Sequence, residues 1–485
     1  MTCLRAAVAC YALLTLAWPA AATAEAQVET TQLQLRFGDD GHLRQLRACV
    51  PDCRNPAAKT LRLVPDQGLV SFEPGLLASW TVMRKRTHNA TVLQFEDSRS
   101  GARRTWTVPD SGWRLGLEIS SPSPIVFASD AAFTHNDADG FARLLGRTRY
   151  VTLDAGGVQT TETDETPAAT PADARWKGFR NRYWAVLAKP AGSATAIFRG
   201  NPSGAAGFTL DSLDQQPGLY ALYLGPVEPK ALVGAAPELR RLMYSGLWQP
   251  LRWICFALFY LLQAIHQWVP HWAASIMLLS ITVSVLMWPL SRIADRLQRD
   301  VQATEARLAP KIAHIKAQFR GEKQADLMLA MYRAEGVHPL YSLKSLAGIA
   351  IVIPIFIGAF DMLAENIWLQ GERFAWIADL ARPDSVAALP FSLPFLGDRL
   401  NLLPFLMTGL SVCASWLHQV TAGGAGAASL HLKRLFLLAV VFLLLFYTFP
   451  AGMVLYWTTN NALAVIKNLR RPGKPLAKSD RESNA

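Results

Sequence analysis

The chain has almost none of the punctuation that marks an enzyme. It contains no H-E-x-x-H, no G-x-S-x-G, no glycine-rich phosphate loop and no Cys/His cluster at metal spacing. Zinc-protease, serine-hydrolase, P-loop and zinc-finger chemistry are thereby excluded. Cysteine is scarce, six in 485 residues, and only 18% of residues are charged. Between Trp272 and Arg292 there is no Lys or Arg at all, which points away from a segment that lives in water.

What fills that gap is apolar sequence. Runs at about residues 272–290, 346–366, 400–420, 435–449 and 452–466 each approach the roughly 20 residues that a helix needs to cross about 30 Å of hydrocarbon. The expected fold class is a membrane α-helical bundle of five core transmembrane helices, with further domains outside it. Loop charge orients the bundle. Segment 291–345 carries ten Lys/Arg against six Asp/Glu and the tail from Lys467 six against two, while 367–399 has three against four. The basic loops belong in the cytoplasm. The net charge of +11 is therefore mostly positive-inside bias and calls for no DNA; ribosomal RNA and anionic headgroups are compatible partners.

The amino end reads as an export signal: Arg5, an apolar stretch from Ala6 to Trp18, then Ala22-Thr23-Ala24. Cleavage after Ala24 is favoured over an uncleaved anchor, and either way the next part of the chain lies outside. Cys3 and Cys10 fall in the signal and Cys255 and Cys413 in apolar segments, which leaves Cys49 and Cys53 in the exported region. A local disulfide around Pro51 is the better reading of that spacing than a redox or metal site.

The exported half is patterned for strands. Leu33, Leu35 and Phe37 alternate onto one face, as do Trp113, Leu115, Leu117 and Ile119, and further strands are expected over 92–95, 183–187, 196–198 and 219–224. An antiparallel β-sandwich follows. The Thr/Ala/Asp/Pro-rich stretch 154–175 is expected to be a flexible insertion. The domains are thus 1–24 signal peptide or anchor, 25–245 exported β-sandwich, 246–270 interfacial amphipathic helix, 271–470 helical core and 471–485 basic tail.

Within 291–345, Ile293, Leu297, Val301, Leu308, Ile312, Ile315 and Phe319 recur at helical spacing, Gly321 breaks the pattern, and a second helix runs from about Glu322 to Glu335. A cytoplasmic helical hairpin is expected. Polar residues then mark the spans. Thr408, Ser411, Ser415 and His418 form one stripe, Thr458, Thr459, Asn460 and Asn461 cluster on the last helix, and Ser280 and Ser284 lie one turn apart on the first. Such hydroxyls either glue helices together or line a hydrated groove, and three helices with polar faces favour the lining. Asp361 and Glu365, one turn apart, read as solvated interfacial carboxylates before a functional pair.

Several motifs carry a resemblance. Met287-Trp288-Pro289-Leu290, Leu308-Ala309-Pro310-Lys311-Ile312, Tyr332-Arg333-Ala334-Glu335-Gly336-Val337-His338-Pro339-Leu340, Pro354-Ile355-Phe356 and Phe449-Pro450-Ala451-Gly452-Met453-Val454-Leu455-Tyr456-Trp457 are similar, in order and spacing, to the YidC family of membrane protein insertases. The likeness covers about residues 240–470. It implies an insertase and chaperone of the bacterial inner membrane, in the Gram-negative form with a periplasmic domain. The implied mechanism is cofactor-free: a polar groove moves client segments from the cytoplasm into lipid. The groove and client contacts it suggests are Ser280, Ser284, Thr408, Ser411, Ser415, Tyr456, Trp457, Thr459 and Asn460. The implied partners are nascent membrane proteins and the lipid bilayer, with the Sec translocon, ribosome and signal recognition machinery compatible. A specialised assembly or scaffold protein that keeps the bundle is the other reading. One departure stands out: the place of the family's groove arginine falls on Ser284, beside Val283, so the chain reads as a divergent member.

Overall fold

Alternation of apolar and polar residues sends every second side chain of a strand to one face, and the amino-terminal half is built on that rule. The computed structural model describes residues 25–470, apart from 73–79, 122, 134–142, 164–169, 171–173, 201–204, 214–217, 339, 342–345 and 422–427. The proposed signal with Cys3 and Cys10, and the basic tail, lie outside the described residues. The chain divides into two units, one containing 148–240 with the residues before 136, the other running from 241 onward and including 136–147.

The first unit is a sandwich of two antiparallel sheets. Its strands are β1 (Ala26–Glu29), β2 (Leu33–Phe37), β3 (Leu43–Val50), β4 (Lys59–Leu63), β5 (Val70–Phe72), β6 (Trp80–Arg86), β7 (Ala90–Asp97), β8 (Arg103–Pro109) and β9 (Arg114–Ile119). They continue as β10 (Ile125–Ala128), β11 (Arg149–Leu153), β12 (Val158–Glu162), β13 (Trp176–Arg180), β14 (Trp184–Pro190), β15 (Ala194–Gly200), β16 (Ala206–Ser212) and β17 (Gly218–Pro226). One sheet runs β1-β2-β3-β5-β10-β16-β15 with β4 on β3, the other β12-β11-β13-β14-β17-β9-β8-β7-β6. Their inner faces meet through rings: Phe37 lies 5.1 Å from Trp106, Tyr150 4.4 Å from Phe198, and Phe179 6.0 Å from Phe208. Leu33, Leu35 and Phe37 are all buried, as are Leu115, Leu117 and Ile119.

Two details refine the sequence reading. Cys49 and Cys53 are disulfide-bonded, with Cα atoms 5.0 Å apart. The expected flexible insertion is instead structured where it is described: Val158–Glu162 pairs with β11 from Leu153↔Val158 to Arg149↔Glu162. A tight turn explains it, since Gly157 donates to Asp154 Oδ1 at 2.8 Å and threonine suits a half-exposed strand. A cavity of about 820 Å³ sits on the second sheet, over a row of small residues, Thr107, Gly116 and Ala221, that face each other across β8, β9 and β17. It holds none of the expected site residues.

The second unit is helical: α2 (Gln249–Trp268), α3 (Trp272–Leu286), α4 (Trp288–Gln318), α5 (Glu322–Ala334), α6 (Leu346–Ala364), α7 (Leu403–Thr421), α8 (Ala428–Phe446) and α9 (Ala451–Leu469). A short α1 (Pro229–Ala235) closes the first unit, capped by Glu228, whose carboxylate accepts from Ala231 N at 2.9 Å. The first apolar run does not continue to residue 290. It stops at Leu286, because Pro289 has no N–H to give the carbonyl four residues back, and α4 departs at 51°. Among the described residues no single helix is long and apolar enough to cross a membrane; the bent pair α3 with α4 passes that test together.

α2 packs on α6, where Gly358 permits the approach: a Cβ there would stand 2.6 Å from Ile254 Cγ2. At the end of α6, the Glu365 carboxylate accepts from Tyr244 N at 3.1 Å, and Tyr244 is held at φ 54. That acid fastens backbone and is half-buried rather than solvated. α4 and α5 form a helical hairpin hinged at Gly321, whose φ of 68 suits glycine. Lys311 donates to Glu335 across the pair, and Val301 and Leu308 are buried along the apolar stripe.

In the sandwich core His42 is buried, accepts from Phe72 N through Nε2 at 3.3 Å, and places Nδ1 3.2 Å from Asp40 Oδ2. Burial pushes its imidazole from 6.5 down to about 4, with Asp40 pulling the other way and Arg104 and Arg44 pushing further down. Below 6.5 the unfolded chain binds a proton that the folded chain refuses. Stability contributed by neutral His42 is therefore present above 6.5 and lost as pH falls toward 4. Thermal unfolding of the sandwich, followed by near-UV circular dichroism across that window, is expected to fall less steeply in His42→Gln than in wild type. Parallel curves would contradict the assignment.

A cavity between three helices

The seam between α3 and α9 is a two-rung ladder one helical turn apart. Ser280 Oγ donates to Tyr456 O at 3.1 Å. One turn on, Ser284 Oγ lies 2.7 Å from Ser280 O and 3.0 Å from Asn460 Oδ1. With a single proton, Ser284 serves one acceptor at a time and keeps spare capacity.

The start of α9 explains the tight seam. Its first two free N–H groups are met by outside carbonyls, Ala451 N by Arg382 O at 2.7 Å and Gly452 N by Leu380 O at 2.8 Å. At Gly452 an added Cβ would come within 3.1 Å of Leu380 O and 3.4 Å of Ile276 Cδ1. The other flank of α9 is fastened to α7 by a heptad pair: Asn461 Nδ2 donates to Met407 O at 3.1 Å and Asn468 Nδ2 to Ala414 O at 2.9 Å. Thr458 and Thr459 return their hydroxyls to carbonyls one turn back, Val454 and Leu455.

Between α3, α6 and α9 these contacts leave a cavity of about 250 Å³, lined by Ser284, Ser291, Tyr456, Asn460 and Lys467 among apolar side chains that include Trp288, Val352 and Phe356. A second, of about 100 Å³, lies between α7, α8 and α9 and is lined by Thr408, Ser411, Ser415 and Asn461. Trp457 lines both. Its ring meets Phe356 at 4.6 Å and Phe446 at 6.0 Å, closing the space between α6, α8 and α9. Thr408 Oγ1 is buried without a hydrogen-bond partner.

The nine residues expected to line one groove are thus divided. Ser284, Tyr456, Trp457 and Asn460 meet at the larger cavity; Thr408, Ser411 and Ser415 meet at the smaller one; Ser280 and Thr459 line neither and serve helix packing. The side chain of His418 lies outside the described residues. Sequence reasoning missed Lys467, an exposed cation seven residues beyond Asn460 and so on the same helical face, and it missed Ser291, whose Oγ donates to Met287 O at 2.9 Å. It also missed the fastening role of Asn468, whose signal was the seven-residue spacing from Asn461. Arg292 stacks on Trp288 with its guanidinium 3.8 Å from the ring centre, which ties a second cation to the wall of the larger cavity.

Residues 264–470, which contain all of these cavity residues, match the family model described as 60Kd inner membrane protein. Over that segment the chain is similar to the YidC family. Among YidC relatives, the membrane protein insertase YidC of Janthinobacterium sp. (strain Marseille) is 30% identical over 249 residues, covering 50% of this chain and 41% of that protein. The same-named protein of Ralstonia nicotianae is 29% identical over 319 residues, 63% of this chain and 52% of that one. The chain thus spans about half the length of the curated YidC relatives it matches. A solved structure titled as an active YidC insertase with its first transmembrane domain resolved aligns over 92% of this chain and 93% of its own, at 15% identity and a TM-score of 0.35.

The heptad fastening is testable. The acceptor carbonyls already belong to helix ladders, so loss of an amide leaves no orphan, and Asn461→Leu and Asn468→Leu are each expected to cost about 0.6 kcal/mol, additively. Reversible unfolding in mixed micelles checks this. No loss in either variant would contradict the fastening role.

Proposed function

We propose that the chain is a membrane protein insertase of the bacterial inner membrane, taking segments of nascent membrane proteins from the cytoplasmic side into lipid by way of the cavity between α3, α6 and α9. The observation that carries the reading is a coincidence: the segment that matches the family model is the segment whose helices build that polar cavity.

The physics needs no cofactor. An unsatisfied polar group in hydrocarbon costs several kcal/mol, so hydroxyls and amides with spare capacity, such as Ser284 and Asn460, lower the barrier for a polar flank. The span is also short. The 15 residues of α3, at about 1.5 Å each, cover about 22 Å, less than the roughly 30 Å of a bilayer core, and thin the layer to be crossed.

In this reading α3, α6, α7, α8 and α9 cross the membrane, the basic α4–α5 hairpin and the carboxy-terminal tail face the cytoplasm, and the sandwich with its disulfide lies in the oxidising periplasm. The hairpin's charge suits a ribosome; the Sec translocon and the signal recognition machinery are fitting upstream partners. Lys467 places a positive charge at the cytoplasmic rim of the cavity, and Ser284 leaves its interior neutral.

The test exploits that arrangement. A unit charge at 4 Å and an effective dielectric near 20 is worth about 4 kcal/mol, so a cation placed inside should favour acidic flanks. Ser284→Arg is expected to fold, since position 284 faces open volume, and to increase insertion of a single-span reporter as its exported tail carries zero, one and then two Asp. Equal tail dependence in wild type and variant would show that position 284 does not meet the client. A reporter inserted equally well with the protein present or depleted would favour a scaffold role.

A further inference from the structure

Between α6 and α7 the chain builds a two-stranded hairpin, β18 (Ala387–Leu393) and β19 (Gly397–Leu400), paired at Ala387↔Leu400 and Leu393↔Gly397. Its composition and its exposure are at odds. The strand reads Ala-Ala-Leu-Pro-Phe-Ser-Leu, yet every residue in it is at least partly open on both faces. Phe391 is 57% exposed and Phe395, at the tip with φ 65, is 80% exposed. A lone two-stranded hairpin is marginal in water at best, and an apolar one has no reason to stand clear of its own protein.

It is nevertheless held firmly at its base. The buried Asp384 carboxylate accepts from Leu402 N at 2.9 Å, Leu403 N at 2.8 Å and Trp376 Nε1 at 3.0 Å, which caps α7. Asn401 Oδ1 accepts from Ser385 N at 3.0 Å while its Nδ2 donates to Tyr447 O at 2.8 Å, and Tyr447 OH donates to Arg399 O at 2.9 Å. The base is polar and satisfied; the tip is apolar and bare. The only charges on the strands, Asp398 and Arg399, sit on the return strand, 3.6 Å apart.

We propose that this hairpin is a lipid anchor whose tip, Phe391 to Phe395, lies in the headgroup and acyl boundary of the bilayer beside α7. The inference rests on the membrane placement given under Proposed function. Three observations choose lipid as the occupant. Exposed apolar residues continue past the hairpin into α7, at Leu402, Phe405 and Leu406. Pro390 and Pro394 remove two backbone donors from a hairpin whose outer edges are unpaired, so less polar backbone is carried into the interface. The charged pair lies on the return strand, with Arg399 opposite Ala388 near the base and neither charge within Phe391 to Phe395, as shallow insertion requires. A fixed anchor beside the start of α7 would hold that helix at a set depth while neighbouring helices accommodate a client.

The test places an environment-sensitive nitrobenzoxadiazole probe on Phe395→Cys and, as a control, on Asp398→Cys, in the full chain with Cys3→Ala, Cys10→Ala and Cys413→Ala and with the buried Cys255 and the Cys49–Cys53 disulfide retained. Each variant is put in nanodiscs of phosphatidylethanolamine and phosphatidylglycerol that hold one copy. The probe at 395 is expected to be quenched several-fold less than that at 398 by aqueous iodide, and strongly by a doxyl group near the top of the acyl chain. Equal iodide quenching at the two positions overturns the anchor, as does protection that appears only in discs holding two copies, which would assign the surface to self-association. Reporter insertion is measured separately on the same variants. A water-exposed probe with full insertion removes the anchor alone, whereas a lipid-buried probe without insertion keeps the anchor and removes the function.

Discussion

Close approach of α9 to its neighbours is the constraint on which the helical unit depends. Gly452 lets the first turn of α9 sit against Leu380 and Ile276, and the loop carbonyls of Leu380 and Arg382 satisfy backbone donors that would otherwise be orphaned in an apolar setting. With that end fixed, the two rungs to α3 and the two asparagine bonds to α7 fall into register along the same helix. A larger residue at 452 would move all four contacts together.

The polar residues of the bundle do two kinds of work, and hydrogen bonding separates them. Ser280, Asn461 and Asn468 spend their donors on carbonyls of neighbouring helices. Ser284 and Asn460 share one bond and face open volume, where a passing polar group would find partners. Charge is kept out of that volume and placed at its rim, on Lys467 and on Arg292 stacked against Trp288. A cation at the rim attracts without bearing the desolvation cost of a buried one.

Much of this was legible in the residues, and the parts that were not share a cause. Period-two alternation marked β2 and β9, and Gly321 marked the turn between α4 and α5, because each depends on local geometry alone. The strand at Val158–Glu162 was hidden by a polar composition, since its stability comes from pairing with β11. The break at Met287 was carried by Pro289 but masked by the apolar run on both sides of it. Division of the polar residues into two cavities was illegible because it depends on where Trp457 points between Phe356 and Phe446, a matter of tertiary packing. The exposed hairpin at 387–400 was hidden for the same reason, as no local pattern tells an apolar strand that is buried from one that is bare.

The central claim is that the cavity between α3, α6 and α9, and not the one beside Thr408, receives the client. The most direct measurement installs a photoreactive amino acid at Leu463, on the larger cavity, or at Ser411, on the smaller one, and crosslinks each variant to a ribosome-stalled single-span membrane protein of increasing length. Crosslinks from position 463 that rise and then fall as the nascent chain lengthens, with little from 411, are the expected result. Crosslinks confined to 411, or absent from both positions while insertion proceeds, would contradict it.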